Sequence, residues 1–95
     1  MKQLFEMIEK IIRGEYDSQM RQEHMLTVIM DLEEVEEDAE EELTAAGGLE
    51  FMLLFQHDLY WIGEDYDDGT DETIAEYKRR VGELYECALE MLKER

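Results

Sequence analysis

The chain contains no proline and only one cysteine among its 95 residues. Without proline, no interior position of a helix loses its backbone donor, so long uninterrupted helices are possible. The single cysteine, Cys87, excludes an intramolecular disulfide and every metal motif that needs several cysteines. No segment approaches the roughly 20 apolar residues that span a bilayer, and Glu6 and Glu9 interrupt the stretch where a signal peptide would need an unbroken apolar run. We therefore expect a cytoplasmic protein.

Basic residues are scarce as well. Nine Lys and Arg stand against 27 Asp and Glu, which gives a formal net charge of −18. Such a charge repels the phosphates of nucleic acids and anionic membranes, whereas it attracts basic proteins and raises their rate of encounter. We therefore predict a basic protein partner, and neither nucleic-acid nor membrane binding. The alternative is that the charge serves only solubility.

Apolar residues recur at three- and four-residue spacing in four segments, which is typical of amphipathic helices. The predicted helices cover about residues 2–13, 18–45, 49–63 and 71–95. Glycines lie between them, and the third helix is apolar nearly all round, so we expect it to be the most buried. Four helices with mostly short connections predict one all-α domain over residues 1–95, an antiparallel four-helix bundle.

Finer details follow from the same pattern. Asp17 or Ser18 can cap the second helix, and Thr70 or Asp71 can cap the fourth. Gly82, inside the fourth helix, is expected to permit a close contact between helices. The cluster 78–80 of Lys, Arg and Arg is expected to pair with neighbouring carboxylates. The predicted core includes Leu53, Phe55, Leu59, Ile74, Val81 and Leu84.

Two metal sites were considered and neither is predicted. An EF-hand with Gly69 at its sixth position would place Tyr66 third and Ala75 twelfth, where the motif needs an oxygen ligand and a bidentate Glu. A di-iron bundle needs Glu three residues before each of two histidines. Arg21 precedes His24 at that distance and Leu54 precedes His57.

Other catalytic constellations are also missing. No histidine pattern or nucleophile turn surrounds Cys87, and no glycine-rich phosphate loop is present. We therefore predict that the chain is not an enzyme and binds no cofactor and no metal.

The acidic residues concentrate in two stretches. Nine of the twelve residues in 31–42 are acidic, and six more lie in 64–72. The first stretch was assigned to the C-terminal half of a helix, where the macrodipole disfavours anions, and pairs such as Glu33 with Glu37 add repulsion. Because folding does not need this arrangement, we interpret it as a binding surface. The predicted partner-binding residues are Glu33, Glu34, Glu37, Asp38, Glu41, Asp65, Asp67, Asp68 and Asp71.

Two segments resemble a known family. The opening LFEMIEKIIRGEYDSQM and the later LEFMLLFQHDLYWIGEDYDDGTDETIAEYKRRVGELYECAL are similar in pattern to the colicin D immunity family. The resemblance implies a helical bundle that binds the nuclease domain of a toxin cleaving transfer RNA, with carboxylates standing in for phosphates in the basic active site. It also implies membership of a contact-dependent inhibition or polymorphic toxin system, and it assigns the contact to the loop 65–71 and the acids of the second helix.

The resulting hypothesis is an immunity protein that occludes the nucleic-acid groove of a basic nuclease toxin. The first alternative is a phage-type nucleic-acid mimic that blocks a host DNA-binding or defence protein, for which the same charge would serve. A second is a metal-dependent helical-bundle enzyme, which would require an ordered metal at a carboxylate cluster. A toxin gene immediately upstream would favour immunity, whereas surrounding phage genes would favour mimicry.

Overall fold

A computed structural model describes residues 1–23, 25–66 and 68–94, and all regular secondary structure in these ranges is helical. The radius of gyration is 12.8 Å, close to the value of about 12 Å expected for a compact chain of this length. The prediction of an all-α protein is therefore confirmed. The helices are α1 (Lys2–Ile12), α2 (Asp17–Gln22), α3 (Leu26–Asp38), α4 (Glu40–Leu53), a π-helical segment (Leu54–Asp58), α5 (Leu59–Asp65) and α6 (Asp71–Lys93).

Helix α1 follows the sequence prediction closely. It buries Leu4, Met7, Ile8 and Ile11 on one face, as the apolar spacing indicates. Gly14 follows the helix with a φ of 84°, a conformation that glycine adopts without the steric cost that a Cβ would bring. The chain then turns into α2. Neither Asp17 nor Ser18 caps α2, because the N-cap position is occupied by Tyr16 and no side chain caps the helix. Asp17 Oδ2 instead accepts a hydrogen bond from Lys78 Nζ of α6 at 2.8 Å.

The long second helix of the prediction is divided in the structure. Helix α2 ends at Gln22, and α3 ends at Asp38 next to the buried Ala39. The break at Ala39 has an electrostatic benefit. It places Glu40, Glu41 and Glu42 in the first turn of α4, where the positive end of the macrodipole stabilises carboxylates. One continuous helix would have left the same acids near a negative end.

A second irregularity lies where the third helix was predicted. Gly48 has φ 81° and ψ −171° and kinks α4, and the backbone then passes through the π-helical segment into α5. These two departures from regular α geometry rotate the side chains relative to an ideal helix. Phe51, Met52 and Phe55 of this region lie in the core.

Helix α6 is the longest element and begins with a capped turn. Thr70 Oγ1 accepts a hydrogen bond from the Thr73 backbone at 3.2 Å, which selects Thr70 over Asp71 as the N-cap. Asp71 and Glu72 occupy the first turn, where the macrodipole favours acids. Helix α6 buries Ile74, Tyr77, Val81, Leu84 and Ala88.

One hydrophobic core is shared by all the helices. Helix α1 packs against α3 and α6, and α5 also packs against α3 and α6. Aromatic rings connect α1, α4 and the π-helical segment. The centroid of the Phe55 ring lies 5.3 Å from that of Phe51 and 5.7 Å from that of Phe5. Such offset and edge-to-face contacts add stability beyond the buried area.

Three sequence predictions about packing are wrong. Leu53 is predicted to lie in the core but is 42% exposed, because the core covers the face of this segment that carries Phe51 and Met52. The third segment is not the most buried, since Leu49 and Trp61 are also exposed. A Cβ added at Gly82 would meet no atom within 4 Å, so this glycine permits no close helix contact.

The basic cluster of α6 pairs as the sequence predicts at two of its three positions. Lys78 binds Asp17, and both side chains are largely shielded from solvent. Arg79 binds Glu76 at 2.7 Å and also contacts Glu83. These contacts join α2 to α6 and occupy two of the few cations of the chain.

Two leucines provide a matched test of the register. Leu59 is 1% exposed and Leu53 is 42% exposed. We expect Leu59→Ala to lower the free energy of unfolding by about 2–5 kcal/mol, because it leaves a cavity in the core. Leu53→Ala should cost less than about 1 kcal/mol, as substitutions at exposed positions usually do. Urea denaturation followed by circular dichroism measures both free energies of unfolding. Equal losses for the two variants would contradict the burial of Leu59 and the exposure of Leu53.

Candidate partner-binding surfaces

The structure places the predicted partner-binding residues on four elements. Helix α3 carries Glu33, Glu34, Glu37 and Asp38, and α4 begins with the turn that contains Glu41. Asp65 ends α5 and Asp71 begins α6, with Asp68 in the connection between them. Asp67 lies outside the described residues. The two acidic stretches of the sequence therefore belong to different parts of the surface.

The first stretch lines a depression between α3, the start of α4 and the π-helical segment. We call it the acidic cleft; its volume is about 440 Å³ and its lining residues are Glu33, Glu36, Glu37, Glu40 and Gln56. Four of these five side chains are carboxyl groups, and no Lys or Arg is among them. The cleft can therefore attract a positively charged group.

Glu36 is the unusual member of the acidic cleft. It is only 4% exposed, whereas most carboxylates of the chain are on the surface. Burial, together with the smaller effects of the charges of Glu33 and Glu37, raises the pKa of Glu36 to about 8. A buried carboxylate without a counter-charge is unfavourable, so Glu36 is largely protonated at neutral pH.

Tyr77 of α6 is a second buried polar residue near Glu36. Its side chain is fully buried, and its hydroxyl group has no hydrogen-bond partner among the described residues. Burial raises the pKa of Tyr77, and the charge of the Glu36 carboxylate adds to this effect. Glu36 is therefore close enough to Tyr77 for its charge to act on the phenol.

Tyr60 connects α5 to the edge of the same surface. A hydrogen bond with Glu64 raises the pKa of Tyr60, and the charges of Glu64 and then Glu33 act in the same direction. Glu33 of α3 is therefore close enough to Tyr60 of α5 for its charge to act on the phenol. Tyr60 gives the edge of the acidic surface an aromatic side chain, which is common in protein interfaces.

The second acidic stretch has a different environment. Asp68 Oδ1 accepts hydrogen bonds from the backbone and hydroxyl of Thr70 at 3.2 and 3.1 Å, so it stabilises the turn before α6. Asp71 Oδ1 accepts a hydrogen bond from Arg21 Nε at 2.7 Å. Asp65 lines a separate groove together with Trp61 and Arg80. The loop acids thus have structural contacts of their own.

The acids of α3 and of the first turn of α4 differ from the loop acids in their lack of ion-pair partners. Among residues 1–23, 25–66 and 68–94, no ion pair reaches Glu33, Glu34, Glu37, Asp38 or Glu41. Their charges are not neutralised within that part of the chain. We call these five residues the α3–α4 surface. It is the stronger candidate for partner binding.

Sequence reasoning missed Glu36, Glu40, Gln56 and Tyr60 as parts of this surface. A signal for Glu36 was present, because it follows Leu32 by four residues and Ile29 by seven. This spacing puts a carboxyl group on the apolar face of α3. No comparable signal existed for Gln56, whose position depends on the π-helical segment.

No further site is evident in the described residues. In these ranges, no group of three or more His, Cys, Asp or Glu side chains is arranged to hold a metal ion. Cys87 is exposed. None of the helices described is both long enough and apolar enough to cross a lipid bilayer.

The chain matches no protein-family model, no curated protein and no solved structure. Its similarity to the colicin D immunity family therefore stays a prediction from the residues.

The buried carboxyl predicts a pH dependence of stability. The folded protein holds the Glu36 proton up to about pH 8, whereas the unfolded chain releases it near pH 4.5. Because the pKa of Glu36 is higher in the folded state, its contribution to stability is fully present below the pKa of the unfolded state. This contribution is lost as the pH rises through the pKa of the folded state. The free energy of unfolding should fall by about 1.4 kcal/mol per pH unit within this window.

Glu36→Gln removes this titration while keeping a side chain of similar shape. We expect its unfolding free energy to vary less between pH 5 and pH 8, and to exceed that of the parent at the upper end of the range. Glu34→Gln is the control, because Glu34 is exposed on the same helix. Urea denaturation across this range gives the slopes, and equal slopes for the two variants would show that Glu36 does not titrate as described.

Proposed function

We propose that the chain is a binding protein and not an enzyme: an acidic immunity protein that occludes the basic nucleic-acid site of a nuclease toxin. The observation that carries the proposal is the α3–α4 surface, whose carboxylates face solvent without ion-pair partners among the described residues. A basic active site that binds phosphates also binds carboxylates held at similar spacing on a rigid support. The pattern shared with the colicin D immunity family suggests a nuclease that cleaves transfer RNA.

The energetics of α3 support a role in binding. Glu33 and Glu37 lie one turn apart on α3, and like charges at this spacing destabilise a helix by a few tenths of a kcal/mol. Mixed charge on the same face would give equal solubility with greater stability. A surface that sacrifices stability in this way is typical of functional sites.

We also infer that the helices form an antiparallel four-helix bundle. The inference is supported by the closed circuit of contacts in which α1 packs on α6, α6 on α5, α5 on α3, and α3 on α1. Packing in such a bundle would hold α3 in place and restrict the motion of its acidic side chains. A pre-organised surface loses less entropy on binding than a flexible one.

The proposed activity can be tested by partner capture and inhibition. The chain, immobilised as bait, should retain a basic protein from a lysate of its source cell, and the retained protein should cleave RNA. Adding an equimolar amount of the chain should suppress that cleavage. A retained partner whose nuclease activity is unaffected by the chain would contradict the immunity function.

Charge reversal predicts which surface carries the interaction. The triple substitution Glu33, Glu37 and Glu41 to Lys should slow association with the captured partner by about tenfold or more, because steering by opposite charge is lost. The triple substitution Asp65, Asp67 and Asp68 to Lys tests the loop in the same way. Association of the parent should also slow steeply with added salt, while dissociation changes less.

The control is the triple substitution Glu86, Glu90 and Glu94 to Lys on α6, whose side chains are exposed and which changes the net charge equally. Stopped-flow association rates and melting temperatures are measured for all variants. Equal slowing by all three would show that only net charge matters. Unaltered affinity for both the α3 and the loop variants would mean that these acids only solubilise the protein.

A further inference from the structure

Glu36 has a position that solubility does not explain. It lines the acidic cleft although only 4% of its surface is exposed. Among the described residues, no hydrogen bond or salt bridge reaches its carboxyl group. Buried polar side chains are nearly always paired, and an unpaired one needs a specific reason. A ligand that enters the cleft would supply the missing partner.

The groups around Glu36 define what that ligand must be. Glu33 and Glu37 flank it on α3, Glu40 approaches from α4, and Gln56 contributes an amide from the π-helical segment. On α6, the buried Tyr77 hydroxyl is close enough for the charge of Glu36 to raise its pKa, and it has no partner among the described residues. All the charged groups of this set are acids, so the complementary ligand is a cation.

The donor pattern favours an organic cation over a metal ion. Nowhere in the described ranges are three or more carboxyl or imidazole groups close enough to hold a metal. A guanidinium group instead presents five N–H donors in one plane and binds separate acceptors at wider spacing. Carboxylates and the Gln56 carbonyl oxygen are suitable acceptors, and a cleft of about 440 Å³ lies within the range of about 300–1,000 Å³ that is usual for small ligands.

We propose that the acidic cleft receives the guanidinium group of one arginine of the basic partner, with Glu36 as the innermost acceptor. This inference rests on the proposed function, because it names the partner group that one part of the acidic surface takes. The π-helical segment places Gln56 at the cleft, and π-helical turns within α-helices frequently mark functional sites.

Binding at this place is coupled to a proton. In the empty cleft the Glu36 carboxyl is protonated up to about pH 8. An entering guanidinium favours the carboxylate, so Glu36 releases its proton to solvent as the ion pair forms. No covalent bond forms or breaks. Affinity for a guanidinium ligand should therefore rise between pH 6 and pH 9 and then level off.

The test uses agmatine, a small guanidinium compound, with the native chain carrying ¹³C-labelled glutamate. NMR titration of the side-chain carboxyl of Glu36 against pH is recorded with and without agmatine. We expect millimolar agmatine to lower the apparent pKa of Glu36 by about 1 or more, while the carboxyl group of the exposed Glu34 shifts less. Tetramethylammonium chloride at the same ionic strength is the control, because it carries the charge without N–H donors.

Variants extend the test to the partner. Glu36→Gln should abolish the proton released on agmatine binding, measured calorimetrically in two buffers of different ionisation enthalpy, and should weaken the partner about tenfold or more at pH 8. Glu86→Gln, at an exposed acid of α6 outside the acidic cleft, should do neither. Circular dichroism verifies that both variants are folded, and the titration of the native chain does not depend on any substitution.

The outcomes separate this inference from the proposed function. If agmatine leaves the pKa of Glu36 unchanged, or acts only as tetramethylammonium does, the arginine site is overturned even where a basic nuclease is bound and inhibited. If agmatine acts as described but no nuclease is inhibited, the cleft is a guanidinium site and the immunity function is wrong.

Discussion

Repulsion among the carboxylates of α3 and α4 is the constraint to which much of this structure responds. Acids occupy nine of the twelve positions 31–42, so a single straight helix would align them along its negative end. The break at Ala39 relieves part of this conflict by creating a new N-terminus for Glu40, Glu41 and Glu42. Thr70 and the acids that follow it use the same principle at the start of α6. The repulsion among the carboxylates within α3 remains.

Glu36 shows how the fold accommodates what the break cannot relieve. Its carboxyl group lies on the buried side of α3, where desolvation keeps it protonated and removes one negative charge from the most crowded segment. Protonation makes burial tolerable, since the neutral acid is much less costly to desolvate than the carboxylate. The charge of the acidic cleft therefore depends on pH near neutrality through Glu36.

The sequence predicted the helical class, α1, the apolar face of α6 and Thr70 as one of two caps, because these depend on local periodicity and capping chemistry. It could not predict the exposure of Leu53. Leu53 belongs to a run that is apolar nearly all round, and such a run does not specify which of its faces the core covers. In the structure Phe51 and Met52 are buried, and Leu53 is exposed. The continuity of the acidic segment was also misjudged, since nothing in its helix propensity marks Ala39 as an end.

The acidic surface was predicted by charge but not by shape. The density of acids in the sequence pointed to Glu33 and Glu37, which both line the acidic cleft. It also grouped the loop acids with them, whereas Asp65 lines a different groove. Gln56 and Tyr60 reach the α3 surface only through tertiary packing, which no local pattern reveals. Charge density in a sequence therefore locates a region of interest, while the residues that shape it come from the fold.

The placement of Trp61 has a spectroscopic consequence. It is the only tryptophan of the chain, it is 53% exposed, and it lines the groove that contains Asp65 and Arg80. The neighbouring Tyr60 ring, with its centroid 5.6 Å away, is close enough to pass excitation energy to it. The intrinsic fluorescence of this protein therefore reports on one side of the molecule. A partner bound over the groove between α5 and α6 would alter the tryptophan emission, whereas a partner bound only at the far end of α4 would leave the emission unchanged.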